Sequence, residues 1–335
     1  MRKLAIWVSP PYQRDNLFDA SSSLNRDDCL KPFRLLRDRL TAQGWICHTQ
    51  DFFSDRSEIP SDILYLDMPK ELSAWPESRK HLLIQESEVV LPQNWQVSAH
   101  ERFDSIFTWS EDLFSKGGKY FETHFAQDLL PPIGLTPFAS RKFCTLIAGN
   151  KSNRHQLELY SERINAIRFF ESRSGNFDLY GMGWERLTHG SFLAKVINRL
   201  SPWLSQKLAR PAISYRGKVE SKFAVLQNYK FAICFENAHS IPGYVTEKIF
   251  DCLNAGCVPV YWGAPDINKF VPAECYIDIR QCKSYDDLLV KLTNFTAADY
   301  EAFLSATTLF LQSSAARRFS CEAFAETISM RLGSS

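Results

Sequence analysis

The stretch with the most chemistry runs from Tyr229 to Pro265. It reads Tyr-Lys-Phe-Ala-Ile-Cys-Phe-Glu-Asn237, then Ala-His-Ser-Ile-Pro-Gly243, then Tyr-Val-Thr-Glu-Lys-Ile-Phe-Asp251. It continues through Cys-Leu-Asn-Ala-Gly-Cys-Val-Pro-Val-Tyr-Trp-Gly-Ala-Pro265. The pattern predicts a strand (Lys230–Phe235), a polar loop, a helix (Tyr244–Ala255, stopped by Gly256) and a second strand (Val258–Trp262). In open α/β sheets a loop leaving the carboxyl end of a strand is where ligands bind. A helix that starts from such a loop aims its unbonded N–H groups and positive dipole end at the ligand, which suits a diphosphate. Glu247 and Lys248 fall in the first turn. A lysine there opposes the helix dipole, so a nearby anion would explain its place. A surface charge pair on an amphipathic helix is the plain alternative.

The elements that must position this stretch follow from the apolar pattern. Leu4–Val8, Trp45–Thr49, Ile63–Leu66, His81–Ile84 and Phe103–Trp109 read as strands, and Lys31–Gln43 as a helix with Phe33, Leu36 and Leu40 on one face before Gly44. The run Leu130-Pro-Pro-Ile-Gly-Leu-Thr-Pro137 interrupts the alternation and marks a domain boundary. Beyond it come a strand at Lys142–Ala148, a helix at Leu157–Phe170, a strand at Phe177–Tyr180 and a helix at Lys218–Asn228. Helices at Tyr285–Leu292, Asp299–Gln312 and Cys321–Arg331 follow the central stretch. Alternating strands and helices predict parallel sheets covered on both faces. The expected fold class is α/β, with one domain over 1–135, a second over 136–315 and a closing helix over 316–335.

Composition excludes several classes. The 335 residues carry 39 Lys+Arg and 38 Asp+Glu, a formal net charge of +1, which argues against a general nucleic-acid binder. At 45% hydrophobic the chain is not disordered, and no apolar run reaches the ~20 residues of a membrane span. Met1–Val8 is too short for a signal peptide and reads as a first strand. Nine cysteines, an odd number without Cys-x-x-Cys or a zinc-spaced His pair, read as reduced core residues of a cytosolic protein. In that compartment the sequons at Asn150 and Asn294 mean little. Gly-x-Gly-x-x-Gly is missing after the first strand, which argues against a nicotinamide dehydrogenase. The segment Ser191–Arg210 carries Lys195, Arg199, Lys207 and Arg210 and no acid, with Leu193, Val196, Ile197, Leu200, Trp203, Leu204 and Leu208 at helical spacing. It reads either as a helix packed on its own domain or as a basic amphipathic surface for an anionic membrane.

The run Phe-Glu-Asn, Tyr-Val-Thr-Glu-Lys-Ile and Gly-Cys-Val-Pro-Val-Tyr-Trp-Gly-Ala-Pro resembles the donor-binding signature of the α-1,3/4-fucosyltransferases, glycosyltransferase family 10. The likeness is clear over Lys142–Asp278 and weaker toward both ends. It implies a GT-B architecture, two Rossmann-like domains facing across a cleft. The carboxyl-terminal domain would bind GDP-fucose and the amino-terminal one an oligosaccharide or glycoconjugate acceptor. Carried over residue by residue, Lys248 would contact the diphosphate and Glu247 a sugar hydroxyl. Tyr244 and Asn237 would line the same pocket, and Glu236 would support its loop. The family's arginine on the first helix of the donor domain falls on Arg163, with Arg154 and Arg168 as rivals. Lys218 and Lys222 would add positive charge near the diphosphate, and His239 reads as a polar loop residue. In the first domain the match is thinner. The strand His81–Ile84 runs into Gln85-Glu-Ser-Glu88, which places the family's proposed general base on Glu86, with Glu88 as the alternative.

The implied mechanism is inverting. Arg163, Lys248 and the helix N-terminus would stabilise departing GDP. Glu86 would take the proton of the attacking hydroxyl, through an oxocarbenium-like transition state. The chain contains no Asp-x-Asp triplet, and no obligatory metal or other cofactor is expected. The competing readings are a related transferase using another GDP-sugar or acceptor, and an inactive domain that only binds glycans or nucleotides. The lack of an anchor resembles the bacterial members, so the expected location is the cytoplasm, with contact at the inner face of a bacterial membrane through 191–210 as the alternative to a helix packed on its own domain.

Overall fold

A computed structural model describes residues 1–53, 58–73, 75–173, 175–187, 192–209 and 212–333. Within them the chain divides into two α/β units. The first comprises Met1–Leu129, Pro242–Glu247 and Ser314–Ser335, the second Leu130–Ile241 and Lys248–Ser313.

The first unit carries β1 (Lys3–Trp7), α1 (Lys31–Ala42), β2 (Ile46–Thr49), β3 (Asp62–Leu66), β4 (Arg79–Ile84), β5 (Ser105–Thr108), α2 (Glu111–Phe114) and β6 (Tyr120–Glu122). The strand order is β2-β1-β3-β4-β5-β6, parallel throughout. Side chains alternate across the sheet, so each face has its own core. Leu4, Ile6, Leu64, Leu83 and Phe107 pack toward α1 on one face, while Ala5, Ile63, Tyr65, Leu82 and Ile106 pack on the other.

The second unit carries β7 (Lys142–Ile147), α3 (Tyr160–Arg173), β8 (Phe177–Tyr180), α4 (Phe192–Leu200), α5 (Pro202–Leu208), α6 (Lys222–Leu226), β9 (Tyr229–Phe235), α7 (Glu247–Asn254), β10 (Val258–Trp262), β11 (Ile277–Asp278), α8 (Tyr285–Thr293) and α9 (Ala297–Leu311). The order is β11-β10-β9-β7-β8, again parallel. The strand order reverses between β7 and β9, and such a switch point opens a crevice at the carboxyl ends of the strands. Gly181 closes β8 there at φ +133, and a Cβ on it would lie 1.9 Å from the Ala148 carbonyl oxygen, so only glycine fits.

Several expectations shift. The first unit ends at Leu129, not 135. The closing helices α10 (Ser314–Arg317) and α11 (Cys321–Gly333) are part of it, because α11 buries Phe324, Ile328 and Leu332 against Phe33, Leu36 and Leu40 of α1. The helix expected over Lys218–Asn228 contracts to α6, since the Ser221 hydroxyl accepts from the Ala224 N–H and caps it there. The helix expected from Tyr244 begins at Glu247, because Gly243 turns the chain at φ +75. The edge strands β6 and β11, of three and two residues, are too short to leave a periodic signal. Seven of the nine cysteines are buried, in keeping with core thiols. Asn150 of the first sequon is also buried, its side-chain amide donating to the Gly183 carbonyl at 3.0 Å. No helix among the described residues is long and apolar enough to cross a membrane.

Candidate active site

In the second unit β9 delivers Glu236 and Asn237 to the switch point. Arg163, on the buried face of α3 at 4% exposure, caps this strand end. Its Nη2 donates to the carbonyls of Phe235 (2.6 Å) and Glu236 (2.8 Å) and to Asn237 Oδ1 (3.1 Å). A guanidinium cannot deprotonate, so its charge stays fixed behind the loop. The loop is also stitched to the segment before α3. The Leu159 N–H donates to the Asn237 carbonyl, and the His239 N–H to the Leu157 carbonyl. His239 itself is half-buried, its ring Nδ1 2.8 Å from the Ser240 hydroxyl.

The Glu236 carboxylate is fully buried and takes the Lys248 ammonium at 3.0 Å. A carboxylate therefore supplies the negative charge that a lysine in the first turn of α7 requires. Gly263 makes room for the pair, since a Cβ there would sit 2.5 Å from both Glu236 Cγ and the Tyr261 hydroxyl. Burial, and next the charge of Glu236, push the Tyr261 phenol well above its ordinary pKa, so it stays neutral, and its hydroxyl oxygen accepts from the Ala264 N–H at 3.1 Å. Glu247 opens α7 and is partly exposed. The two outlying lysines are engaged elsewhere: Lys222 pairs with Asp251 of α7 at 2.6 Å, and exposed Lys218 lies 3.7 Å from Glu185.

In the first unit Glu86 follows β4, and its backbone is held from every side. Asp67 Oδ1, at the end of β3, accepts from the N–H groups of Gln85 (2.8 Å) and Glu86 (3.0 Å) and from Asn94 Nδ2 (2.7 Å). The Glu86 carbonyl accepts from Asn94 Nδ2 (3.0 Å) and Trp95 Nε1 (3.2 Å), and the Gln85 carbonyl from Trp109 Nε1 (2.9 Å). Asp67 sits at φ +61, a left-handed conformation that Asp adopts more readily than most residues. Burial raises its pKa, against the lowering effect of the hydrogen bonds it accepts. The Glu86 carboxylate is partly exposed, and Tyr244 donates to its Oε2 at 3.4 Å. Tyr244 is buried against Trp109 and Phe125, with ring centroids 5.1 and 6.0 Å away. Glu88, two residues on, is exposed.

The expected residues thus form two clusters: Arg163, Glu236, Asn237 and Lys248 in the second unit, and Glu86 with Tyr244 in the first. Asp67, Asn94, Trp95 and Gly263 were not singled out in the sequence. An acid directly after the strand Ile63–Leu66 was the one available signal for Asp67; the others depend on tertiary proximity. No group of three or more His, Cys, Asp or Glu suited to a metal occurs among the described residues.

Residues 204–307 match the sequence model of a family described as glycosyltransferase family 10 (fucosyltransferase) C-term. The chain is 32% identical to an α-(1,3)-fucosyltransferase of Helicobacter pylori over 93 residues, which is 28% of this chain and 19% of that protein. It is also 32% identical to an α-(1,4)-fucosyltransferase of Arabidopsis thaliana over 107 residues, 30% of this chain and 26% of that protein. The matches therefore span about a fifth to a quarter of these relatives. A crystal structure of an α1,3-fucosyltransferase with GDP-fucose superposes with a TM-score of 0.55 at 14% identity, covering 99% of this chain and 90% of that one. The resemblance to family 10 is borne out, as is the α/β class with two Rossmann-like domains of the GT-B type.

Proposed function

We propose that the chain is an inverting fucosyltransferase, moving L-fucose from GDP-fucose to a hydroxyl of a glycan acceptor. The observation that carries this reading is the placement of Lys248 on the first turn of α7, directly after the polar loop that leaves β9, inside the stretch that matches the family. A helix N-terminus with an added ammonium stabilises a diphosphate both before and after its bond to the sugar breaks. Arg163 acts one step behind: by holding three oxygens of the Phe235–Asn237 corner it keeps the loop in shape and adds fixed positive potential.

Glu86 is the proposed base. It takes the proton of the acceptor hydroxyl as that oxygen attacks the anomeric carbon on the face opposite to departing GDP. Because the cage of Asp67, Asn94, Trp95 and Trp109 grips its backbone, the carboxylate is aimed without being buried. The proposed acceptor is an N-acetylglucosamine-containing glycan with an α-1,3 linkage. The proposed chemistry needs no divalent metal, since Lys248, Arg163 and the helix dipole supply the positive charge.

The test is incubation with GDP-fucose over a glycan array, with and without EDTA, and determination of the product linkage by NMR. A fucosylated product formed equally in EDTA is expected. Activity with another GDP-sugar alone would redirect the donor assignment. The absence of transfer, of donor hydrolysis and of GDP binding together would overturn the reading, and loss of transfer in EDTA restored by manganese would overturn its metal-free part.

A further inference from the structure

The pair α4 and α5 presents its faces the wrong way round for a helix hairpin in water. Among the described side chains, the buried ones are polar. Asn198 and Ser205 are buried and hydrogen-bonded to each other, and both reach Leu187, the Asn198 amide donating to its carbonyl at 2.9 Å and the Ser205 hydroxyl accepting its N–H at 3.1 Å. Its outer side is apolar. Leu200 is 76% exposed and Trp203 68%, with Leu204 and Leu208 beside them and Ile213 at 89% just beyond. Helices of soluble domains place these side chains inward, and a contiguous exposed apolar patch marks a contact surface.

Charge identifies what that contact is. Between Glu185 and Glu220 the chain carries seven lysines and arginines and no carboxylate. The whole protein has a formal net charge of only +1, so the rest of it is net acidic. Two of the seven are already engaged, Arg216 with Asp178 at 2.6 Å and Lys218 at 3.7 Å from Glu185, while Arg199 and Lys207 stand on the same helices as the apolar side chains. Exposed Arg199 and Lys207 flank the patch, and the Lys207 ammonium lies 5.1 Å from the Trp203 ring centroid. Cations with long apolar stems beside an indole suit the level of lipid headgroups, where the ring enters the interface and the charges meet anionic phosphates. Ser191 and Arg210, which bound this stretch, lie outside the described residues, as do the side chains of Leu193 and Lys195.

We propose that α4 and α5 dock on an anionic membrane surface, with Leu200, Trp203, Leu204 and Leu208 entering the interface and Arg199 and Lys207 contacting lipid phosphates. A second copy of the chain is a poorer occupant, because the patch would set two like-charged cation clusters against each other. The inference stands independently of the sugar transferred.

The test is co-sedimentation of the full chain with phosphatidylcholine vesicles with or without phosphatidylglycerol. Sedimentation with the anionic vesicles and little with the neutral ones is expected. A cation near such a surface contributes ~1 kcal/mol, so Arg199→Ala with Lys207→Ala should weaken partitioning about 30-fold. Leu200→Ser with Trp203→Ser should weaken it about tenfold or more. The substituted side chains are exposed, so the thermal midpoints of these variants should match the parent, separating lost docking from lost folding. The proposal is overturned if the parent chain ignores anionic vesicles, binds both kinds equally, or keeps its partitioning in both variants. A concentration-dependent dimer abolished by Leu200→Ser and Trp203→Ser, without vesicle binding, would also overturn it in favour of a second copy.

Discussion

Glu86 and Glu236 both stand at the carboxyl end of a parallel strand, β4 in one unit and β9 in the other, and they are held in opposite ways. Around Glu86 the protein grips the backbone with Asp67, Asn94 and Trp95 and leaves the carboxylate partly in water with a phenol at 3.4 Å. Around Glu236 it buries the carboxylate itself and commits it to Lys248 at 3.0 Å. A group that must gain and lose a proton needs a fixed position and a forgiving environment. A group that holds a lysine in place needs a fixed charge. The contrast sets the proposed base apart from an anion that holds a lysine, although the sequence presents two glutamates in similar settings.

The largest effect should come from the first of these. Glu86→Ala removes the proposed base and should lower transfer at least ~10²-fold. The cage binds backbone atoms, so the thermal midpoint and GDP affinity should be those of the parent. Unchanged turnover would remove the distinction drawn between the two glutamates.

Lys248→Ala should affect both stability and binding. Removing one partner from a buried ion pair costs roughly 3 kcal/mol at the low end of such cases, which suits a lysine that keeps some exposure. Losing a charge-assisted contact should weaken GDP binding about tenfold to a hundredfold. Calorimetric titration with GDP checks the second effect, and an unaltered dissociation constant would leave Lys248 with a structural role only. Gly263→Ala sharpens the same point without touching a charge. Its Cβ would collide with Glu236 Cγ and the Tyr261 hydroxyl at 2.5 Å, and overpacking of this kind costs about 1–3 kcal/mol. Chemical denaturation measures it, and a variant as stable as the parent would show that this corner is looser than its contacts imply.

The smallest effect concerns acid. His100 lies beneath the Glu86 cage, its ring Nε2 2.8 Å from the Asn94 carbonyl, and burial holds its pKa below 6.5. The folded state then binds fewer protons than the unfolded one below pH 6.5, so stability contributed by neutral His100 is lost as pH falls through that value toward the folded pKa. The slope is at most about 1.4 kcal/mol per pH unit for one group. His100→Gln should flatten the acid limb of the thermal midpoint, and equal slopes in both proteins would assign the acid sensitivity elsewhere.

Much of this organisation was legible in the residue pattern. The apolar runs at Leu4–Val8, Phe177–Tyr180 and Val258–Trp262 each became a strand, because a strand covered on both faces is buried almost continuously and reads as an unbroken apolar run. The loop at Glu236–Asn237 was found because several polar residues interrupt an apolar alternation. What the pattern missed is instructive. A lysine in the first turn of α7 calls for a nearby anion, and Glu236, twelve residues earlier and brought back by a β-loop-α turn, is one. Tyr244 belongs with Glu86, 158 residues away, because the chain passes into the first unit at Pro242 and leaves it after Glu247.

The sequence by itself determined the two parallel sheets, their strands apart from the short edges β6 and β11, and the polar corner after Phe235, since apolar runs and turn chemistry are local properties. Only the tertiary structure decided which carboxylate faces water and which lies beneath a lysine. It also decided that the apolar side of α4 and α5 points outward. Exposure depends on what the rest of the chain covers, and no local pattern records that.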